Sequence, residues 1–365
     1  MDFHNMQMFL AYWLHDALVV SIHLLLPARE IEGYATDAHG KRLKYRLNGL
    51  YTLFVYLCVW YMAARNGYSW TQFHANLWIF MFSACILGII VSASFVFSVS
   101  PSPDSKGILV DFFNGRAANP QVRVFGRTLD MKMAAYLVGA INLELNILSA
   151  FMQHRTIHSA DPSPGVTLYT ILFSLWVTDY CFFEHPQLYT YDLVAENLGF
   201  KILWGCLCFY PYFYSIGILA VAEKANPQSP TWLLMLAATT FFSGWILSRG
   251  ANNQKWFFKM DPQQTFLGIK PKIIESKDGK QRVLCGGFWS VARHVNYLGE
   301  LLMATGLTMS LGYLNDWRSW LYVVYYVLLL IPRQLDDDKR CGEKYGEVWR
   351  EYCTKVPWRI IPWVY

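Results

Sequence analysis

Charge is scarce in this sequence. Only 16% of its 365 residues are Asp, Glu, Lys or Arg, whereas a soluble globular chain carries about 25%. With 54% of residues hydrophobic and 17% aromatic, the apolar side chains cannot all hide inside one water-soluble core. The same figures exclude a disordered, collagen-like or disulfide-scaffold chain. Disulfide spacing is missing too. None of the eight cysteines belongs to a CxxC pair, and Cys58, Cys85, Cys206 and Cys208 fall inside apolar runs, where a thiol packs as a small hydrophobe. There is no GxGxxG after a strand, no GxxxxGK[ST] and no GxSxG, so neither a Rossmann site, a P-loop nor a nucleophile elbow is supported. The net charge of +5 is spread over loops, without the basic stripe that a nucleic-acid partner would require. The run Met1-Asp2-Phe3-His4-Asn5 lacks a basic stretch, so no cleaved signal peptide is expected. These absences leave an integral membrane protein.

What is present is a series of apolar runs near the length of about 20 residues that a membrane helix needs. Spans are predicted at 6–26, 48–64, 74–99, 134–153, 166–184, 199–222, 232–248, 297–313 and 317–332, the last two as a helical hairpin around Asn315 and Asp316. The fold class expected is therefore all-α, a polytopic helical bundle of nine to ten spans. Basic residues cluster in alternate linkers: Arg29 to Arg46, Lys106 to Lys132, segment 249–296 and the tail from Arg333. The positive-inside rule places these linkers on the cytoplasmic side. Linker 185–198 belongs to the same side but has no Lys or Arg.

Two segments are too polar for lipid: 249–296, with short extended runs around Asp278-Gly279 and Cys285-Gly286-Gly287, and the tail 333–365. A membrane scaffold over 1–248 thus meets a titratable part over 249–365, where chemistry is expected. Carboxylates inside apolar runs, Glu144, Asp179 and Glu184, are candidates by cost alone, or links in a polar network between helices. Of nine histidines only His154 and His158 stand at HxxxH spacing. One pair cannot hold the two irons of a membrane desaturase, and no metal site is expected. The densest polar runs are Trp289 to Glu300 and Arg333 to Tyr345. In the second, Arg333, Asp337 and Arg340 fall at three- to four-residue spacing, one helix face. Cations and aromatic walls at a membrane surface suit a phosphorylated cofactor, or anionic lipid.

At these residues the sequence resembles the sterol reductase family, which includes C14-sterol reductases, the reductase domain of the lamin B receptor and 7-dehydrocholesterol reductases. The family tail R-x-x-R-D-E-x-x-C-x-x-K-Y-G-x-x-W-x-x-Y-x-x-x-V-P-[YW]-R-[IL]-x-P is matched at Arg333, Asp337, Cys341, Lys344, Tyr345, Gly346, Trp349, Tyr352, Val356, Pro357, Trp358, Arg359, Ile360 and Pro362. Gly287, Phe288, Trp289, Arg293, His294, Asn296, Tyr297 and Gly299 match a second motif, Arg249 to Lys255 a third, and Gly40, Leu43, Tyr45, Asn48 and Gly49 an early one. Four positions depart. The family's acidic and aromatic pocket residues are replaced by Cys206 and Phe209, its second tail arginine by Asp336, and its usual Asp by Glu300.

The resemblance implies a single sterol reductase domain over 1–365 with about ten spans, NADPH as hydride donor and a sterol entering from the bilayer. It implies that Lys255 and Lys259 meet cofactor phosphates and that Leu284, Trp289, Asn296 and Tyr297 line the cofactor cleft. Arg333, Asp337, Cys341, Gly342, Glu343, Lys344, Tyr345 and Tyr352 complete that cleft. Because a sterol double bond is a poor hydride acceptor, protonation is expected first and hydride second, with Tyr352, polarised through Asp337, as the candidate proton donor. The R-H-x-N-Y-x-G and V-P-W-R-I-x-P forms favour the C14 bond. Lys270 to Glu275 and Gly287-Phe288-Trp289 look more like the C7 enzymes, and a C24(28) reductase is a third alternative. A non-catalytic sterol-binding protein of the same fold is a reading of another class, and a membrane methyltransferase using S-adenosylmethionine a weaker one. The expected location is the endoplasmic reticulum membrane in a eukaryote and the inner membrane in a bacterium.

Overall fold

The computed structural model describes residues 3–37, 39–103 and 105–365; Met1 and Asp2 of the N-terminal run lie outside them. The chain packs as two compact units that divide between Asn226 and Pro227. The division expected at 248/249 instead falls inside a helix, Thr231–Met260, which continues unbroken from apolar into polar sequence.

The first unit contains α1 (Phe3–Leu25), a hairpin of β1 (Arg29–Thr36) and β2 (Arg42–Leu47), and α2 (Gly49–Arg65). After these come α3 (Leu77–Phe97), a hairpin of β3 (Gln121–Val124) and β4 (Arg127–Asp130), α4 (Met131–Ile157), α5 (Pro164–Phe182) and α6 (Phe200–Val221). Helix α4 is the centre of the unit, buried at every position from Leu137 to Ile147. Its start is fixed by Asp130, whose Oδ1 accepts from the Met133 amide at 3.0 Å. Ser163 caps α5 in the same way, with Pro164 at the first helical position, where its missing N–H costs nothing. Inside α6, Pro211 has no N–H to return to the preceding turn. The ladder widens there into a π turn, Gly205–Phe209, and the Tyr210 amide bonds to Gly205 O.

The buried polar residues of this unit form links between helices. The His15 ring bridges the Tyr56 hydroxyl and Asn142 Oδ1, and Asn142 Nδ2 donates to Asp16 Oδ1 at 2.8 Å. Glu144 accepts from the Ser174 hydroxyl at 2.6 Å. Glu184 accepts from the Gly49 amide at 2.8 Å, at the first turn of α2. Two of the three carboxylates singled out by cost therefore join neighbouring helices, and Asp179 is half-buried at the end of α5. His154 accepts from the Ser163 amide at 3.0 Å and contacts Ala222 O, while His158 contacts Glu223 O.

The second unit is built from α7 (Thr231–Met260), a hairpin of β5 (Ile273–Glu275) and β6 (Arg282–Leu284), α8 (Val295–Leu311), α9 (Trp317–Tyr345) and α10 (Glu347–Lys355). Small residues let α7 and α8 approach closely. A Cβ on Gly299 would lie 2.5 Å from the Ser248 amide nitrogen and 2.6 Å from Gly244 O. A Cβ on Gly306 would lie 2.7 Å from Ala237 O. Gly312, in the left-handed conformation, ends α8. Asp316 caps α9, so the helical hairpin expected at 297–332 is present. Helix α9 does not stop at 332; it carries Pro332 within it and continues to Tyr345.

Among the described residues six helices are long and apolar enough to cross a membrane: α1, α3, α4, α5, α6 and α7, as in a multi-pass membrane protein. The other three expected spans are helices too. However, α2 and α8 have 17 residues each, about 26 Å against the roughly 30 Å of hydrocarbon, and α9 is half polar. The fold is not wholly helical, because among the described residues three two-stranded antiparallel hairpins stand outside the spans.

Candidate functional site

The candidate site belongs to the second unit and starts at the polar end of α7. Lys255 and Lys259 are one turn apart there, both exposed, and neither has an ion-pair partner among the described residues. The Lys255 ammonium stands 5.5 Å from the centroid of the Trp289 ring, and Trp289 Nε1 donates to Ala251 O at 3.0 Å. Trp289 reaches this place because of Gly287. That residue has φ +64, and a Cβ on it would meet Gln254 Nε2 at 2.2 Å. Gln254 in turn accepts from the Phe288 amide at 3.0 Å. The glycine turn and one buried glutamine thus lay the 287–290 segment along α7.

At the entry to α8, Asn296 Nδ2 donates to Asn252 Oδ1 at 3.3 Å, and the buried Tyr297 hydroxyl donates to Asp337 Oδ2 at 2.6 Å. Asn296 Oδ1 and Asn253 Oδ1 are buried acceptors with no hydrogen-bond partner among the described residues. Cys341 follows Asp337 by one turn of α9. Burial pushes its thiol up to about 11; the Lys255 and Lys344 charges oppose that rise, and the Asp337 charge adds to it. These groups therefore share one electrostatic neighbourhood.

The structure does not join Tyr352 to Asp337. Tyr352, 2% exposed, donates its hydroxyl to Trp289 O at 2.9 Å, and burial raises its pKa. It packs with Ile274, Val283, Val348 and Val356, against which Tyr345 also rests. Leu284 is buried at the end of β6, opposite Ile273. Gly342 is half-buried, Glu343 and Lys344 are exposed, and Arg333 is half-buried just after Pro332. Lys344 O accepts from Gln281 Nε2 at 2.8 Å. Arg333, Asp337 and Arg340 all lie on helix α9, on one face as their spacing suggested, and Arg340 pairs with Asp336 at 2.6 Å.

Sequence reasoning passed over Asp338. Its carboxylate accepts from Gln334 Nε2 at 2.7 Å and stands 3.4 Å from Arg293, 3.3 Å from His294 and 3.6 Å from Arg359. Burial favours the neutral acid, but the His294 hydrogen bond and the Arg293, His294 and Arg359 charges outweigh it. They hold the group below the usual carboxylate range. Tyr365 closes the cluster, donating to Gln334 Oε1 at 3.0 Å and accepting from Arg359 at 3.1 Å. The backbone amides of Arg293 and His294 bond to Trp358 O and Arg359 O. The tail thus clamps the segment that carries Trp289, Asn296 and Tyr297. The available signal was a third consecutive aspartate, Asp336-Asp337-Asp338, opposite Arg293-His294.

Residues 1–365 match the sequence profile of the Ergosterol biosynthesis ERG4/ERG24 family. A Delta(14)-sterol reductase of Arabidopsis thaliana is 30% identical to this chain over 355 residues, 93% of this chain and 91% of the relative. The Delta(14)-sterol reductase TM7SF2 of Mus musculus is 30% identical over 97% of this chain and 84% of its own length. That of Methylotuvimicrobium alcaliphilum is 28% identical over 99% and 83%. With a match along its whole length and relatives at this identity, the chain belongs to the Ergosterol biosynthesis ERG4/ERG24 family.

Proposed function

We propose that this chain reduces a sterol carbon–carbon double bond, the C14 bond, with NADPH as reductant and the sterol entering from the bilayer. Relatives named Delta(14)-sterol reductase, matched over most of both chains, support the substrate and the bond. The observation that carries the reading is the gathering, in one unit, of two unneutralised lysines, an aromatic wall and a hydrogen-bonded Tyr297–Asp337 pair. Phosphates need cations not already paired, which Lys255 and Lys259 supply. Ring amides and ribose hydroxyls need acceptors, which Asn253 Oδ1 and Asn296 Oδ1 offer.

Bound there, NADPH supplies hydride. The protein's own residues supply the rest. An isolated double bond accepts hydride poorly, so a proton must be placed on it first, in a site dry enough that water does not trap the cation. The Tyr297–Asp337 pair holds a proton between oxygens 2.6 Å apart, with the tyrosine buried and the carboxylate half-buried, and we assign it the donor role first given to Tyr352. Tyr352 fixes the Trp289 wall through its carbonyl.

The test is product analysis by mass spectrometry with purified protein, NADPH and separate Δ8,14-, Δ5,7- and Δ24(28)-sterols. Loss of the C14 double bond with matched NADPH oxidation is expected. Loss of another double bond would move the position of reduction. NADPH binding without product from any of the three would favour a sterol-binding protein without chemistry.

A further inference from the structure

We propose that the β3–β4 hairpin of the first unit is a lipid-contact element whose tip enters the headgroup layer of an anionic leaflet. The tip is Phe125-Gly126, with φ +51 and +76. Such a turn ordinarily takes Asn or Asp before Gly, and a bulky residue with positive φ is unfavourable. Phe125 is also 93% exposed, so in water this position would combine a strained backbone with a bare aromatic ring. Both choices make sense if the ring has an apolar medium to enter.

The rest of the hairpin is anchored. Val122 and Val124 pack against Leu24, Leu129 and Ala134, Arg127 bonds the Leu24 carbonyl at the end of α1, and Gln121 Nε2 donates to Lys44 O at 3.0 Å. Only the tip projects. Helix α4, a membrane-crossing candidate, starts at Met131, so the tip lies within about 20 Å of chain from the hydrocarbon boundary. The charges match a lipid surface. Arg123 and Arg127 flank Phe125, and Lys41, Arg42 and Lys44 are exposed on the neighbouring hairpin. The acids there are Glu30 and Glu32, on β1 in register with Arg46 and Lys44, and Asp37 in the turn, whose Oδ1 accepts from the His39 and Lys41 amides. An aromatic ring between cations is the composition of an interfacial anchor.

Hydrogen exchange of the full chain in nanodiscs tests this. Discs of phosphatidylcholine alone are compared with discs containing phosphatidylglycerol. Amides of residues 123–127 are expected to exchange roughly tenfold more slowly in the anionic discs, since each basic residue near such a surface contributes about fivefold in binding. The effect should weaken at high salt. Phe125→Asn, which suits the turn and so preserves the fold, should remove most of the protection. Equal exchange in the two kinds of disc, or unchanged protection in Phe125→Asn, would overturn the proposal. Protection that follows the number of protein copies per disc would overturn it in favour of self-association.

Discussion

The Tyr297 hydroxyl donates to Asp337 Oδ2 at 2.6 Å, tying the first turn of α8 to the polar end of α9. The other buried tyrosine of the site, Tyr352, bonds a backbone carbonyl. The two hydroxyls are therefore expected to fail differently when removed. Tyr297→Phe should lower kcat by about 10²- to 10⁴-fold, the range for a lost general acid, with NADPH affinity little changed. Tyr352→Phe leaves the Trp289 carbonyl unsatisfied and should cost about 1–3 kcal/mol of stability, read as a lower Tm, with a smaller loss of kcat. The reverse pattern in product formation would return the donor role to Tyr352.

Lys255 and Lys259 stand clear of carboxylates and can each give one charge-assisted bond to a phosphate. Lys255→Ala and Lys259→Ala should each raise the Kd for NADPH by about tenfold or more, as expected for a bond to a charged group. Titration calorimetry with purified protein should also show this loss shrinking as salt rises.

Asp338 gives a pH dependence with a definite sign. Its pKa in the folded chain lies below the usual carboxylate value. The stabilisation is therefore complete above the ordinary carboxylate range and disappears as pH falls through the lowered folded value. On acidification from about pH 6 to about pH 3, which brackets the ordinary carboxylate range, the Tm of the wild type should drop more steeply than that of Asp338→Asn. At neutral pH the variant should be the less stable of the two, because Arg293 loses its carboxylate.

Gly299 faces backbone, which cannot rotate away. Gly299→Ala should lower stability by about 1–3 kcal/mol, as other overpacked contacts do. Gly342 sits in looser surroundings, where an added methyl would meet only Trp349 Cδ1, at 3.8 Å; Gly342→Ala should be tolerated. Thermal unfolding in detergent distinguishes the pair.

Much of this arrangement is legible in the sequence because length and composition determine membrane helices directly. Each of the nine apolar runs is helical, and the Trp289–Tyr297 and Arg333–Tyr352 runs come together in one unit. The β1–β2 hairpin escapes a reading that takes basic composition only as a sign of topology, although Leu43, Tyr45 and Leu47 alternate with polar residues. Its Tyr45 is buried, with Leu43 and Leu47 packed beside it. Hydrogen-bond partners are harder still. Tyr352, expected to act through Asp337, lies on α10; the phase of α9 against α8 brings Asp337 to Tyr297 instead, and no local pattern encodes that phase. Asp338 is hidden for the same reason: Gln334 is one turn away on α9, but its charged partners come from two separated stretches, Arg293-His294 and Arg359.

The π turn at Gly205–Phe209 has a consequence for descent as well as shape. A π turn carries one residue more than the α-helical turn it replaces, and its wider winding absorbs that residue without rotating the helix on either side. Deleting a single residue there would narrow the ladder while Phe200 and Trp204, stacked on one another, keep their azimuth against α3. The same deletion one turn earlier, in regular α-helix, would swing the preceding side chains by about 100°. Single-residue differences in length should therefore be tolerated in this turn and not elsewhere in α6.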